Sequence, residues 1–351
     1  MRLREQGVRP GWQPVPQAFQ QYGKKRSVYA GMCRRFSRRQ GSNHGEGTVR
    51  GRSMGRAGVR QGHSQSLREA EPVRKGRNMD ELTRKAYRLR RDIIEEVYRS
   101  SAGHVGGDLS VIDILTVLYF RVMAVSPDNW DSPDRDRFFL SKGHCADALY
   151  MVLGEKGFFD KQEAIESFSA YGSRFIGHPN TEVPGIEMNS GSLGHGLALG
   201  VGTALAAKMD GRDYRTYVVL GDGEMAEGSN YEAMMAAAHY HLDNLCAVVD
   251  LNRLQISGAT KEVMCSDELG EKFASFGWNV IPVEDGNDCG QLLEAFEQAA
   301  SVKGRPSVLI AHTVKGRGVS FMENQKSWHH GVMTKEQYET AVRELEEVCS
   351  E

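Results

Sequence analysis

The chain has 351 residues, with 44 Lys and Arg against 46 Asp and Glu and a formal net charge of −2 at pH 7. This balance hides an asymmetry, because residues 1–78 contain 18 of the basic residues and only 4 of the acidic ones. The rest of the chain therefore carries 26 basic against 42 acidic residues, which argues against nucleic acid as the partner of the folded part. No apolar run reaches the roughly 18 residues that a membrane-spanning helix needs, so we expect no membrane segment.

Residues 1–78 are rich in Gly, Gln and Ser and poor in aliphatic residues, so they cannot bury a core. We predict a disordered basic tail here and one folded domain over residues 79–351. An organellar transit peptide or a nucleic-acid-binding arm would also be basic, but the segment is too glycine-rich and lacks an amphipathic repeat. An over-extended start is the simplest interpretation.

The six cysteines show neither a CxxC pair nor the spacing of a metal site, which fits a reducing cytoplasm as the location. They are Cys33, Cys145, Cys246, Cys265, Cys289 and Cys349.

From Met79 onward, helical and strand patterns alternate along the chain. Apolar residues at helical spacing predict a first helix that begins near Met79. Further helices are predicted over 111–123, 146–156, 161–169, 192–209, 224–242 and 288–302. Short apolar runs predict strands at the end of 134–140 and over 217–220, 246–249, 278–283 and 306–314. The alternation predicts an α/β fold, a parallel sheet with helices on both faces.

The most informative motif is Gly221-Asp222-Gly223, which directly follows a predicted strand. Two glycines let the backbone turn sharply and approach a ligand closely. A helix and a second strand follow, and Asn252 comes at the end of that strand. Asp222 and Asn252 should therefore lie side by side at the sheet edge where open α/β sheets bind ligands.

These residue types suit a magnesium ion that is shared with phosphate groups. Asp222 supplies charge, Asn252 a neutral carbonyl oxygen, and the turn at Leu254 a backbone carbonyl. The sequence thus predicts a site for Mg²⁺, or for Ca²⁺ or Mn²⁺ in its place, that holds a diphosphate.

The GDG segment with Asn about 30 residues later resembles the thiamine diphosphate motif. SSAGHVGGDLS (100–110), LSKGH (140–144), IGHPN (176–180) and NSGSLGHGLALGVGTALA (189–206) surround it in series. Together they resemble transketolase over residues 79–335, and most closely the separate N-terminal subunit of split bacterial transketolases, where SKGH and SGSLGHG are typical. The resemblance implies the thiamine diphosphate-binding (diphosphate domain) fold and thiamine diphosphate as cofactor.

The resemblance also implies four catalytic residues. His104 would contact substrate and assist proton transfer, and His178 would lie near the hydroxyls of the donor sugar. His329 is favoured as the third histidine over His330, because the similar deoxyxylulose phosphate synthases have an aromatic residue before the equivalent histidine. Glu227 would communicate through the subunit interface with a partner glutamate.

Six residues are implied to bind the cofactor. His144 and the N–H of Gly223 would bind the diphosphate, whereas Gly191, Ser192 and Leu193 would touch the thiazolium side; Asn252 belongs to both cofactor and metal. Ser192 replaces a common proline, so only a backbone or van der Waals role carries over. Lys142 replaces a frequent asparagine and would be either a cation for an anionic sugar or a solvated lysine.

Thiamine enzymes also need a glutamate on the aminopyrimidine ring, which a separate pyrimidine-binding domain carries. The resemblance therefore implies a C-terminal-type partner subunit in an α2β2 assembly, sugar phosphates as substrates, and ketol transfer from a ketose to an aldose. Two alternatives remain: the α subunit of a 2-oxo acid dehydrogenase, and a non-catalytic module that binds thiamine diphosphate.

Overall fold

The computed structural model describes residues 81–264 and 268–350, which belong to one compact unit, Val73–Glu351. The predicted tail, 1–78, lies outside the described residues.

Five parallel strands form one sheet with the order β1-β2-β3-β5-β4. The strands are β1 (Arg137–Leu140), β2 (Thr216–Gly221), β3 (Leu245–Leu251), β4 (Asn279–Val283) and β5 (Ser307–His312). β2 is buried along its whole length, as expected for a parallel strand covered on both faces.

Ten α-helices surround this sheet in the described ranges. They are α1 (Glu81–Ser100), α2 (Val105–Val117), α3 (Ala146–Lys156), α4 (Lys161–Ser167), α5 (Gly196–Met209), α6 (Gly228–His239), α7 (Thr260–Val263), α8 (Leu269–Ser275), α9 (Cys289–Ser301) and α10 (Lys335–Ser350). None of them combines the length and the hydropathy that a bilayer crossing would require.

Side chains alternate along the central strands and fill two cores. Val219 and Val248 pack in the core that includes α1, α2, α3 and α9. Val218 and Val249 point to the other face, where α5, α6 and α8 supply the apolar residues. This alternation is the period-2 pattern of a strand, and it confirms the predicted α/β sheet with helices on both faces.

Several helix boundaries differ from the predicted ones. α2 begins at Val105 rather than 111, because complete burial of this segment offsets the poor helix propensity of its Gly106-Gly107 pair. The predicted helix 224–242 is divided into a 3₁₀ turn, Gly223–Ala226, and α6. Helices α7, α8 and α10 were not predicted, although Tyr338, Val342 and Leu345 in α10 have the helical spacing that could have revealed it.

Candidate functional site

Asp222 lies at the carboxyl end of β2 and joins it to the segment after β3. Its side chain is only 3% exposed. One carboxylate oxygen accepts the N–H of Gly223 at 2.7 Å, and the other accepts the N–H of Arg253. Burial, reinforced by the nearby Asp250, raises the pKa of Asp222 to about 6. The carboxylate therefore lies at the predicted sheet edge, in a place where a bound cation would stabilise its charge.

Asn252 is buried beside it, one strand along the sheet. Its Nδ2 donates to Oγ of Ser110 over 3.3 Å, while its Oδ1 accepts the N–H of Leu254 over 3.2 Å. Leu254 forms an isolated antiparallel bridge with Ala259, which holds this turn closed. The structure thus brings the three residues predicted as metal ligands to neighbouring segments.

A metal at this place would depend on oxygen ligands other than clustered carboxylates. Residues 81–264 and 268–350 contain no group of three or more His, Cys, Asp or Glu side chains that could hold a metal ion. One carboxylate, an amide oxygen and a backbone carbonyl leave coordination positions for phosphate oxygens and water, as magnesium sites commonly do.

Five imidazole rings converge at the amino end of α2, around His104. The ring centre of His104 is 5.4 Å from that of His144, 6.0 Å from His178, 5.8 Å from His329 and 4.8 Å from His330. The structure therefore brings together all the histidines that the sequence predicted for the site, including both candidates for the last position.

Two half-buried rings of this cluster, those of His104 and His329, are neutral near pH 7. Burial, followed by the neighbouring His330 and His178, lowers the pKa of His104 to about 4. Burial and the adjacent Lys315 lower the pKa of His329 to about 3. Such rings act as hydrogen-bond donors and acceptors rather than as cations.

His329 and His330 make different hydrogen bonds. Nδ1 of His329 lies 3.0 Å from Nζ of Lys315, whereas Nδ1 of His330 lies 2.7 Å from the carbonyl oxygen of Gly103. His330 also stacks on His104 with an interplanar angle of 20°. Both residues therefore belong to the cluster, and they present their rings to it in different ways.

Lys142 is not the solvated lysine that the sequence analysis considered. It is 2% exposed and forms an ion pair with Asp250, which is completely buried. Burial alone would lower the pKa of Lys142, but the Asp250 carboxylate outweighs that effect and raises it. The same carboxylate accepts hydrogen bonds from Ser110 and Thr313. Sequence reasoning missed Asp250, although a carboxylate at the end of an otherwise apolar strand signals a buried partner.

Lys315 is a second buried cation of the site, and sequence reasoning missed it. It follows β5, is 2% exposed and contacts His329. Burial and the nearby Lys142 lower its pKa. A second buried cation within the same site favours an anionic ligand there.

The loop that carries Gly191, Ser192 and Leu193 lies against the histidines. Gly191 has a φ of +137°, and an added Cβ would lie 2.9 Å from Cδ2 of His178. Ser192 is exposed, with Oγ 3.3 Å from Nδ1 of His195, and Leu193 is half-buried. Gly191 therefore approaches the cluster directly.

Glu227 is exposed at the amino end of α6. A Cβ added to Gly194 would lie 2.6 Å from Cβ of Glu227, so the glutamate packs against the end of the same loop. Its proposed role across a subunit interface stays a prediction.

The amino end of α2 fits a bound diphosphate. A Cβ added to Gly106 would lie 3.3 Å from Cε of Lys315, and one added to Gly107 would lie 3.6 Å from Nε2 of His144. Nδ1 of His104 is buried without a hydrogen-bond partner. Close backbone approach, buried cations and an unpaired imidazole nitrogen together suit a polar, anionic group.

Comparisons with known proteins agree with this geometry. The family described as "Transketolase, thiamine diphosphate binding domain" matches residues 82–346. One subunit of the apulose-4-phosphate transketolase of Phocaeicola vulgatus is 52% identical over 258 residues, which cover 74% of this chain and 91% of that protein. The 6-deoxy-6-sulfo-D-fructose transketolase subunit SqwG of Clostridium sp. is 40% identical, with 76% of this chain and 96% of that protein covered. A crystal structure of transketolase from Campylobacter jejuni is similar with a TM-score of 0.73 at 30% identity, over 77% of this chain and 43% of that one.

Proposed function

Because this chain belongs to the transketolase family, as an N-terminal subunit of the split type with its thiamine diphosphate binding domain at residues 82–346, we propose that it transfers a two-carbon ketol group from a ketose to an aldose together with a partner subunit. The observation that carries the proposal is that α2 connects the two groups: its Ser110 accepts a hydrogen bond from Asn252 at the Asp222–Asn252 edge, and the five imidazoles surround its amino end.

We propose that a magnesium ion between Asp222, Asn252 and the carbonyl of Leu254 holds the diphosphate of the cofactor. His144 and the N–H of Gly223 would bind the same diphosphate. Gly191, Ser192 and Leu193 would touch its thiazolium side. Thiamine diphosphate supplies a carbanion equivalent and an electron sink, whereas the protein supplies binding, orientation and proton transfer.

The histidines suit the remaining task. Sugar hydroxyls must lose and regain protons near neutral pH, and neutral imidazoles can accept and donate them. His104 would contact the substrate at the reacting carbons, with His178 at the donor hydroxyls and His329 at the cofactor side. Glu227 would act across the interface between subunits.

The partner would be a chain with the pyrimidine-binding domain, in an α2β2 assembly in the cytoplasm. It would contribute the glutamate that the aminopyrimidine ring requires. Two observations support such a partner: three related proteins are named as subunits, and each of them is covered over 91–97% of its length.

The names of these relatives suggest the substrate class. Apulose 4-phosphate and 6-deoxy-6-sulfofructose, which two of the names contain, are both anionic ketoses. We propose an anionic ketose as donor and a small aldose or aldose phosphate as acceptor.

A substrate panel on the complex with the partner subunit, thiamine diphosphate and Mg²⁺ tests this function. Anionic ketoses with an aldose acceptor should give a new ketose two carbons longer than the acceptor, and 2-oxo acids should give no product. Decarboxylation of a 2-oxo acid would instead support the alternative of a dehydrogenase α subunit. Cofactor binding without turnover of any ketose would support the non-catalytic module.

A further inference from the structure

We propose that Asp147 is a positioning residue for His330 and that it acts through one peptide group, the one between Gly103 and His104. The N–H of His104 donates to Oδ2 of Asp147 over 3.2 Å. The carbonyl of Gly103, which belongs to the same peptide, is 2.7 Å from Nδ1 of His330. Carboxylate, peptide and imidazole therefore form one hydrogen-bonded chain.

This chain determines which nitrogen of His330 carries the proton. A carbonyl oxygen can only accept a hydrogen bond, so Nδ1 of His330 must be the donor. In the Nδ1–H tautomer, Nε2 has a lone pair and can accept a hydrogen bond. An ionised Asp147 attracts the amide hydrogen and polarises the peptide, which makes the Gly103 carbonyl a stronger acceptor for His330.

The contact with Lys315 gives His329 the opposite tautomer. A protonated Lys315 can only donate, so Nδ1 of His329 accepts over 3.0 Å and its Nε2 carries the hydrogen. The two adjacent histidines thus differ in tautomer: His329 offers an N–H, whereas His330 offers a lone pair. If the proposed ketol transfer holds, on which this step rests, His330 is the ring placed to accept a proton from a sugar hydroxyl.

The peptide is tightly fixed in place. Gly103 has a φ of +131°, and an added Cβ would lie 2.5 Å from Oδ2 of Asp147 and 2.7 Å from a methyl carbon of Val97. Only glycine fits here without displacing the carboxylate. The geometry that aligns Asp147 with His330 is therefore built into the backbone.

The groups that face Asp147 come from every element packed around it. α2 contributes Asp108 and α1 contributes Glu96, and both carboxyl groups interact electrostatically with Asp147. The buried Tyr150 lies on the same helix. Oδ2 of Asp108, Oδ1 of Asp147 and both oxygens of Glu96 are buried without a donor, so at least one of these carboxyl groups must be protonated.

Burial raises the pKa of Asp147 to about 7, although the hydrogen bond from His104 opposes that increase. The Asp147 carboxylate is therefore charged above neutral pH and becomes protonated below it. We predict that the contribution of Asp147 to catalysis is lost as the pH falls through about 7.

The test uses the full chain labelled with ¹⁵N-histidine, because tautomers differ in their ring nitrogen shifts. His330→Gln identifies the His330 signals. We expect the Nδ1–H tautomer in the wild type and in Glu96→Gln, a matched variant of a buried carboxyl group outside the hydrogen-bonded chain. Asp147→Ala should reduce the Nδ1–H population by at least about two-fold. An unchanged tautomer in Asp147→Ala would overturn the proposal, whether or not the chain proves to be a transketolase.

Asp147→Asn provides the second arm, because Asn can still accept the His104 N–H but carries no charge. In the complex with the partner we expect kcat to fall about 10-fold with KM and cofactor affinity unchanged, and the pH dependence of kcat near 7 to flatten. If Asp147→Ala does not fold, Asp147→Asn alone tests the proposal. Wild-type kcat and pH profile in Asp147→Asn would overturn the role of the charge.

Discussion

At the scale of single residues, the site depends on groups that lie far apart in the sequence and meet at two places. Asp222 and Asn252 meet because parallel strands end at the same edge. The imidazoles meet because the glycines at 103, 106 and 107 allow close approach at the amino end of α2. These positions could be predicted from motifs, since each motif fixes a local turn.

The charge of Asp222 should be essential for metal-dependent cofactor binding. Asp222→Asn retains an acceptor for only one of the N–H groups of Gly223 and Arg253, and it loses the anionic oxygen that the metal requires. We expect Mg²⁺-dependent affinity for thiamine diphosphate to fall at least about 100-fold, since charged metal ligands cannot be replaced by neutral ones without large loss. Calorimetry on the complex with the partner measures it. Asp128→Asn, on an exposed turn, is the control and should bind like the wild type; equal affinity in both variants would remove the metal assignment.

Substitutions of His104 and of His144 should impair different steps, turnover in one case and cofactor binding in the other. His104→Ala should lower kcat by about 10²- to 10⁴-fold with cofactor affinity retained, because a proton-transfer group contributes that much. His144→Ala should weaken cofactor binding, since its ring lies beside Gly107 at the amino end of α2. Steady-state titration of thiamine diphosphate in both variants separates the two effects. If His104→Ala weakened cofactor binding and His144→Ala lowered only kcat, the two assignments would be wrong.

At the scale of helices and strands, the sequence predicted all five strands and most helices. Apolar runs bounded by turns identified the strands, and the GDG segment identified the end of β2. The buried charges could not be predicted in the same way. Lys142 and Asp250 lie 108 residues apart in the sequence, and no local pattern indicates that they form an ion pair.

Helix α5 offers a matched test of how the helices pack on the sheet. A Cβ added to Gly200 would lie 2.5 Å from Cγ2 of Val218 in β2, whereas one added to Gly202 meets nothing within 4 Å. We expect Gly200→Ala to destabilise the protein by about 1–3 kcal/mol through overpacking. Gly202→Ala should leave stability unchanged or raise it by up to about 1 kcal/mol through helix propensity. Urea unfolding of the two variants measures the difference, and equal midpoints would contradict the packing of α5 on β2.

The buried carboxyl groups of α1, α2 and α3 should make stability depend on pH. Burial raises the pKa values of Glu96 and Asp108 well above their usual range, and that of Asp147 to about 7. The folded protein therefore retains protons that the unfolded chain releases above about pH 4, so stability should fall as the pH rises from about 4 to 7. Glu96→Gln removes one such group and should reduce that fall by at least about 1 kcal/mol. Urea unfolding at pH 5 and pH 8 measures this change in stability. A wild type that is more stable at pH 8 than at pH 5 would contradict the prediction.

At the scale of the whole molecule, the diphosphate end and the aminopyrimidine end of the cofactor make different demands. The described residues supply the acidic edge, the buried cations and the histidines that suit the diphosphate end. In the proposed function, a partner subunit supplies the pyrimidine-binding domain for the other end. The central claim is that this chain contributes half of a shared active site.

Ketol transfer by the purified chain alone tests that claim most directly. The chain is produced in a host that lacks transketolase and is supplied with thiamine diphosphate, Mg²⁺, an anionic ketose and an aldose. We predict no turnover by the chain alone, and turnover that rises with added pyrimidine-domain subunit until the two chains are equimolar. Robust turnover without the second chain would contradict the claim.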